Sequence, residues 1–385
     1  MHLAVIFENI GGYHAARLRA TAEACARRGW RLTALEITNL EAQHPWGDCA
    51  RQSWFPVETL IRRENRRGHL TARDLRESAH RMDETLEKLH PDAVAIPGWG
   101  FTYSRAALQW CSDHGRKAIL MSESKWDDAP RAWWREKLKW FLYVRKFAAA
   151  LVGGNLHREY LARLGFDQRR IFDGYDVVDN AHFAAAADAA RADPAAARTR
   201  QPALPPRPFF LAVTRFLPRK NVALLVRAYA AYRERAGTGA WNLVLCGSGA
   251  EETLLRDLIA QKQLAPFVHL PGFLTYDRIG DWYGLAGAFV HPALQEQWGL
   301  VVNEAMAAGL PVLVSNRCGC FPELVSEGKT GFGFDPENES ELASSLARCG
   351  AEIDLKVMGQ NARAHMQNFT PEHFAEGMLA AAAVA

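Results

Sequence analysis

Two series of short apolar runs, each run followed by a longer helical pattern, constrain the fold of this 385-residue chain more than any other feature. LAVIF (3–7) reads as a strand, Tyr13 to Arg28 as a helix closed by Gly29, and RLTALEI (31–37) as the next strand. DAVAIPG (92–98), KAILMSE (117–123) and AALVGG (149–154) continue the series. The pattern restarts at FFLAVTRF (209–216), with a helix from about Val222 to Arg235, WNLVLCGSG (241–249), and a helix from Glu251 to Lys262. VHLPGF (268–273), AFVHPA (288–293) and LPVLVS (310–315) complete it. Strands alternating with helices build βαβ units and a parallel sheet, so an α/β chain of two Rossmann-like doubly wound domains is expected.

Between the series lies AHFAAAADAARADPAAARTRQPALPPRP, from Ala181 to Pro208. Its prolines interrupt any long helix and its composition reads as a joint. The expected division is a first domain over 1–183, a linker over 184–208 and a second domain over 209–368, with FTPEHFAEGMLAAAAVA (369–385) returning to the first. Two such domains are expected to face each other across a cleft, where ligands of open α/β sheets bind.

A hydrophobic content of 49% of the chain, with aromatics at 10% of all residues, excludes a wholly disordered chain, and a net charge of +3 excludes a polyanion-coating protein. No nucleic-acid partner is expected. Seven cysteines without a C-x-x-C pair read as free thiols in a reducing cytoplasm, and Cys318 and Cys320 lack the partners of a zinc site. MHLAVIFENIGG reads as a first strand rather than a signal peptide, and no run approaches the length of a membrane span. The expected location is cytoplasmic, with a peripheral position at the inner membrane face as an extension.

The chemistry concentrates in HPALQEQWGLVVNEAMAAGLPVLVSNRCGCFPELV, His291 to Val325. A strand ends near His291, a turn carries Glu296, and Trp298, Gly299 and Leu300 lead into a helix that stops at Gly309. Unpaired amides at that helix start suit an anionic or hydroxyl-rich ligand, and carboxylates at Glu296 and Glu304 can accept hydrogen bonds from vicinal hydroxyls. A lone glutamate there would more simply complement the helix dipole. The whole string EQWGLVVNEAMAAGLPVLVS, however, closely resembles the E-x7-E signature of retaining glycosyltransferases of the family-four type, with Trp298 where phenylalanine is commoner. The resemblance implies the GT-B architecture. It also implies that Glu296 holds hydroxyls of the transferred sugar, that the Trp298–Leu300 backbone faces sugar and phosphate, and that Glu304 clasps the nucleotide ribose.

VTRFLPRKNVALLVRAY (213–229) places Arg215 and Lys220 on a strand-to-helix loop, and their spacing resembles the family's R-x4-K diphosphate clamp. With Glu296 these form the expected catalytic set, cations stabilising charge on the leaving oxygen. In LVLCGSGAEE the G-x-G lacks its third glycine, so Gly247 is expected to border the nucleotide pocket as part of a tight turn. By the same resemblance, main chain at Phe273 and Leu274 would meet the base. In the first half, Gly11 and Gly12 form a candidate anion cradle, Gly12 being assigned to the donor side. Gly11, His14 and Glu123 are candidate acceptor contacts; the family often carries a histidine where this chain has Ser122, Glu123 and Ser124.

DDAPRAWWREKLKWFLYVRKF (127–147) predicts a helix with two readings: a core-packed helix with a wet basic side, which is preferred, or a membrane-facing patch for a lipid-linked acceptor. RRENRR (62–67) reads as a solvated face. No D-x-D occurs, and neither metal nor resident cofactor is expected. The function expected is transfer, with retention, of a hexosyl-type sugar from a nucleotide sugar to a sugar, lipid-linked or small-molecule acceptor. A nucleotide-sugar epimerase, a phosphorylase and a non-catalytic sugar-binding protein are the alternatives.

Overall fold

The computed structural model describes residues 1–39, 55–63, 68, 70–351 and 354–384. Cys49 and residues 64–67 of the RRENRR segment lie outside the described residues. The chain divides into two compact units, one of Met1–Asp179 with Phe369–Ala385, the other of Asn180–Asn368.

The first unit holds a seven-stranded parallel sheet of β1 (His2–Phe7), β2 (Arg31–Thr38), β3 (Val57–Ile61), β4 (Ala93–Pro97), β5 (Lys117–Ser122), β6 (Ala149–Val152) and β7 (Ile171–Asp173). The spatial order is β3-β2-β1-β4-β5-β6-β7. Leu3 to Ile6 are fully buried, as a strand covered by helices on both faces requires. The C-terminal helix Pro371–Ala383 belongs to this unit and packs along Gly12–Arg27. It buries Phe374, Met378 and Leu379, each contributing about 1.5–3 kcal/mol of apolar burial. A Cβ on Gly377 would sit 2.1 Å from the Asp173 carbonyl, so glycine permits this helix to close on the sheet edge.

The second unit repeats the plan with six parallel strands, β8 (Phe209–Val213), β9 (Asn242–Cys246), β10 (Val268–Gly272), β11 (Ala288–His291), β12 (Val312–Ser315) and β13 (Gly331–Phe334). Their order is β10-β9-β8-β11-β12-β13. The order reverses between β8 and β11, and ligands of open α/β sheets bind beyond the carboxyl ends of the strands at such a reversal.

Two expectations are corrected. The stretch 184–208 is not a free linker. Helices Asn180–Ala192 and Pro194–Arg200 occupy its first part, and Phe183, Ala187 and Ala190 are fully buried. The helix Asn180–Ala192 lies on Gly280–Leu285, where a Cβ on Gly280 would come within 2.3 Å of Ala186 Cβ and one on Gly284 within 2.6 Å of Ala190 Cβ. Alanines facing glycines let two helix backbones meet closely, and alanine loses no side-chain entropy on helix formation. Pro194 starts the following helix rather than breaking one, its first turn capped by the Asp193 carboxylate accepting from the Ala196 amide at 2.9 Å.

The segment 127–147 reaches the core with Trp140, Tyr143, Val144 and Phe147, but most of the apolar residues of its helix point away from it. Its helix, Trp133–Leu142, turns Glu136 inward and leaves Trp133 71%, Trp134 52% and Phe141 58% exposed.

Candidate functional site

Three loops at the carboxyl edge of the second sheet, following β8, β11 and β12, are tied together by their own backbone. The Leu294 amide donates to the Arg219 carbonyl at 2.9 Å. Asn221, held in the left-handed region at φ +56°, donates from Nδ2 to the carbonyls of Pro292 at 3.2 Å and Pro336 at 2.8 Å. The Gly319 amide donates to the Glu296 carbonyl at 3.1 Å and the Cys320 amide to the Trp298 carbonyl at 3.2 Å. Three of these five ties run from backbone to backbone, and the other two come from the Asn221 side chain.

They bring the opposite charges together. Lys220 Nζ donates to Glu296 Oε2, and Arg219 Nη1 lies 3.7 Å from Glu296 Oε1. Burial, with the guanidiniums of Arg219 and Arg215 nearby, pushes the Lys220 ammonium down to about 7, whereas the Glu296 contact acts in the opposite sense. Burial and the Arg219 charge likewise lower Arg215. His291 closes the group from beneath, its Nε2 3.3 Å from Glu296 Oε2. Burial, then the charges of Lys220 and Arg219, hold that imidazole well below its ordinary range, so it is neutral at pH 7.

Gly299 caps the helix Leu300–Ala307 with φ +109°. Glycine is needed there on conformational grounds, and a Cβ would also stand 3.4 Å from Glu296 Cγ and 3.5 Å from His291 Nε2. The Trp298 ring is buried and donates from Nε1 to Asn303 Oδ1 at 2.8 Å, so the indole anchors the helix while the main chain bears the turn. Within the helix, Glu304 is buried and its Oε2 accepts from the Tyr283 hydroxyl at 2.7 Å.

Gly247 has a structural reason for being glycine: its Cβ would fall 1.8 Å from the Thr214 carbonyl, and one on Gly249 would fall 2.4 Å from that of Phe216. With the Phe216 amide donating to the Ser248 carbonyl at 2.8 Å, the two glycines let this turn seat the loop bearing Arg215. Beyond β10, Phe273 is 46% exposed and Leu274 half-buried.

Gly11, Gly12, His14 and Glu123 belong to the first unit. Gly11 caps the helix Gly12–Arg27, and His14 Nδ1 accepts from the Gly11 amide at 3.2 Å, its ring packed 4.4 Å from that of Phe7. Glu123 neighbours the buried Asp176 and the Arg17 guanidinium. Burial raises both carboxyls, Asp176 the more strongly because the Glu123 charge adds to it, so Asp176 retains a proton well above the usual carboxylate range. Arg17 donates from Nε to the Val177 carbonyl at 2.9 Å.

Arg219, His291, Tyr283, Arg17 and Asp176 were not singled out from the sequence. His291, as the first residue of the HPALQE string, and Arg219, beside Lys220 in VTRFLPRKN, carried a local signal; Tyr283, Arg17 and Asp176 join through tertiary packing. Among the described residues, no group of three histidine, cysteine, aspartate or glutamate side chains is placed to hold a metal ion. Cys25, Cys111, Cys246, Cys318, Cys320 and Cys349 are buried.

Residues 196–365 match the family model described as Glycosyl transferases group 1. The chain is 30% identical over 173 residues to a sucrose synthase of Melioribacter roseus, covering 40% of this chain and 21% of that one. It is 31% identical over 219 residues to a GDP-mannose-dependent alpha-(1-6)-phosphatidylinositol monomannoside mannosyltransferase of Mycobacterium tuberculosis, covering 49% and 56%. The chain thus spans between about a fifth and just over half of these curated relatives. The solved structure of Anabaena Alr3699/HepE in complex with UDP and glucose superposes with a TM-score of 0.73, at 16% identity, over 99% of this chain and 98% of that one. The fold is that of the GT-B proteins.

Proposed function

We propose that this chain, whose residues 196–365 match the group 1 glycosyl transferases, is a glycosyltransferase of family-four type that moves a hexosyl group from a nucleoside-diphosphate sugar to an acceptor hydroxyl with retention of anomeric configuration. The observation that carries this reading is the convergence of Lys220 and Arg219 upon Glu296, with the Arg215 charge near Lys220, at the β8–β11 reversal.

The donor diphosphate takes up the cations, which offset the charge developing on the departing phosphate. Lys220, held near 7 by burial and by its guanidinium neighbours, is favoured in its charged form once a diphosphate lies against it. Glu296, released in part from Lys220, accepts from hydroxyls of the transferred sugar, with neutral His291 behind it keeping a second charge out of the carboxylate's buried side. Glu304, oriented by Tyr283, accepts from the ribose hydroxyls. Phe273 and Leu274 border the base, and the departing phosphate takes the acceptor proton. Cations and main-chain amides hold the diphosphate without a metal ion. UDP in the HepE complex and GDP-mannose in the mannosyltransferase's name support the donor class.

The test is incubation with a panel of UDP- and GDP-sugars in EDTA, with sugar and lipid-linked acceptors. The reading expects nucleoside diphosphate released in step with an α-linked product from an α-linked donor. Donor epimerised without acceptor, a strict requirement for inorganic phosphate, or binding without turnover would replace it with one of the alternatives.

A further inference from the structure

We infer that the helix Trp133–Leu142 and the turn after it form a docking surface for an anionic lipid bilayer. The inference stands apart from the donor site and concerns the first unit alone. An ordinary surface helix turns its apolar stripe to the core and its charges to water. This one is inverted. Its inward side carries Glu136, which accepts from Lys139 Nζ at 2.7 Å and from the Tyr160 hydroxyl at 2.8 Å, together with the half-buried Trp140. Its outward side carries Trp133, Trp134, Leu138, Phe141 and Leu142, from 40% to 71% exposed. At 100° per residue these five cover about half of the helix circumference.

The charge around that face is of one sign. Residues 131–146, RAWWREKLKWFLYVRK, contain six cations and one carboxylate, that of the buried and ion-paired Glu136. Three of the six cations lie over the exposed rings rather than away from them. Lys137 Nζ stands 5.2 Å from the Trp133 centroid, Arg135 Cζ 5.1 Å from that of Trp134, and Arg145 Cζ 4.1 Å from that of Phe141. Indole, phenyl and leucine beside lysine and arginine, on one exposed face, match the boundary between headgroups and acyl chains, where an anionic leaflet supplies the missing charge. A protein partner of equal apolar area would leave these cations to be desolvated. The helix of ten residues is about 15 Å long and lies on such a surface rather than crossing it; no described helix is long and apolar enough to span a membrane.

The experiment is co-sedimentation of the full chain with vesicles of phosphatidylcholine alone and of phosphatidylcholine with phosphatidylglycerol in equal parts, at 50 and 300 mM salt. The parent is expected to bind the anionic vesicles and release them with salt. Trp133→Ser/Trp134→Ser should lose at least tenfold in partitioning at both salt concentrations, and each of Arg135→Gln and Lys137→Gln about fivefold at the lower one. All three substituted proteins should keep the parent's melting temperature, because the side chains are exposed. No vesicle binding, equal binding to neutral vesicles, unchanged binding by the tryptophan variant, or self-association that the same tryptophan substitutions abolish in the absence of lipid binding would overturn the inference.

Discussion

His291 Nε2 lies 3.3 Å from the same Glu296 oxygen that Lys220 contacts, so one carboxylate is shared between a neutral imidazole and an ammonium. Arg219 Nη1, 3.7 Å from the other Glu296 oxygen, leaves the carboxylate a charged neighbour if Lys220 is exchanged for a sugar hydroxyl. Lys220→Ala should therefore damage chemistry more than binding. A loss in kcat of about 10²–10³, or about 2.7–4 kcal/mol of transition-state stabilisation, is expected, with a much smaller change in donor KM. Lys220→Arg should recover part of the loss. Steady-state kinetics on both variants decides; an effect confined to KM would assign Lys220 to uniform binding.

Diphosphate binding should carry a proton with it. In the free protein Lys220 sits at about 7, below its ordinary value, so at pH 8 most of it is neutral. A bound dianion favours the ammonium and raises that value, so binding at pH 8 takes up a fraction of a proton approaching one. Below about pH 6 the lysine is already charged and uptake should vanish. Calorimetry of UDP or GDP binding in two buffers of different ionisation enthalpy measures this directly, and Lys220→Arg, always charged, should show no such uptake at pH 8. The same group predicts that kcat/KM for the donor falls as pH rises through about 7.

The Tyr283 hydroxyl donates to Glu304 at 2.7 Å inside the second unit, so Tyr283→Phe leaves a buried carboxylate short of one donor. An increase in donor KM of about fivefold to tenfold, from about 1–1.5 kcal/mol, is expected with kcat little changed. Equal loss in kcat and kcat/KM would place Glu304 at the reacting centre instead.

Much of this architecture was legible because parallel strands covered on both faces are continuous apolar runs: β1, β5, β8 and β12 each follow one. The strands that were missed show why others were not. β3 is VETLI, with charge and alternation; β7 has three residues; β13 is GFGF, whose glycines argue against a strand. Gly331 is required there because a Cβ would fall 1.9 Å from the Val312 carbonyl, a contact invisible without the neighbouring strand. The same reason hid Tyr283 behind Glu304 and Asp176 beside Glu123. Charged residues in the E-x7-E string and after β8 were visible because chemistry and spacing lie in one stretch of chain. The alanine tract misled because composition reports how little apolar area each side chain offers, not how closely two backbones can then approach.

That packing makes its own prediction. Gly284→Ala would press a methyl to within 2.6 Å of Ala190 Cβ and 2.7 Å of the Ala187 carbonyl. Overpacking of this kind costs about 1–3 kcal/mol. A fall of several degrees in melting temperature is expected, whereas an unstructured 184–208 would leave it unchanged.

The second unit is expected to grip a nucleoside diphosphate through Lys220 and its arginine neighbours without a metal ion. The direct measurement is the melting temperature in EDTA with UDP or GDP at saturating concentration, for the parent and for Lys220→Ala. A ligand at about 100 times its dissociation constant adds about 2.7 kcal/mol, so the parent should rise by about 5 °C or more with at least one of the two, and the variant by clearly less. No rise in the parent with either nucleotide, or an equal rise in the variant, would contradict the account.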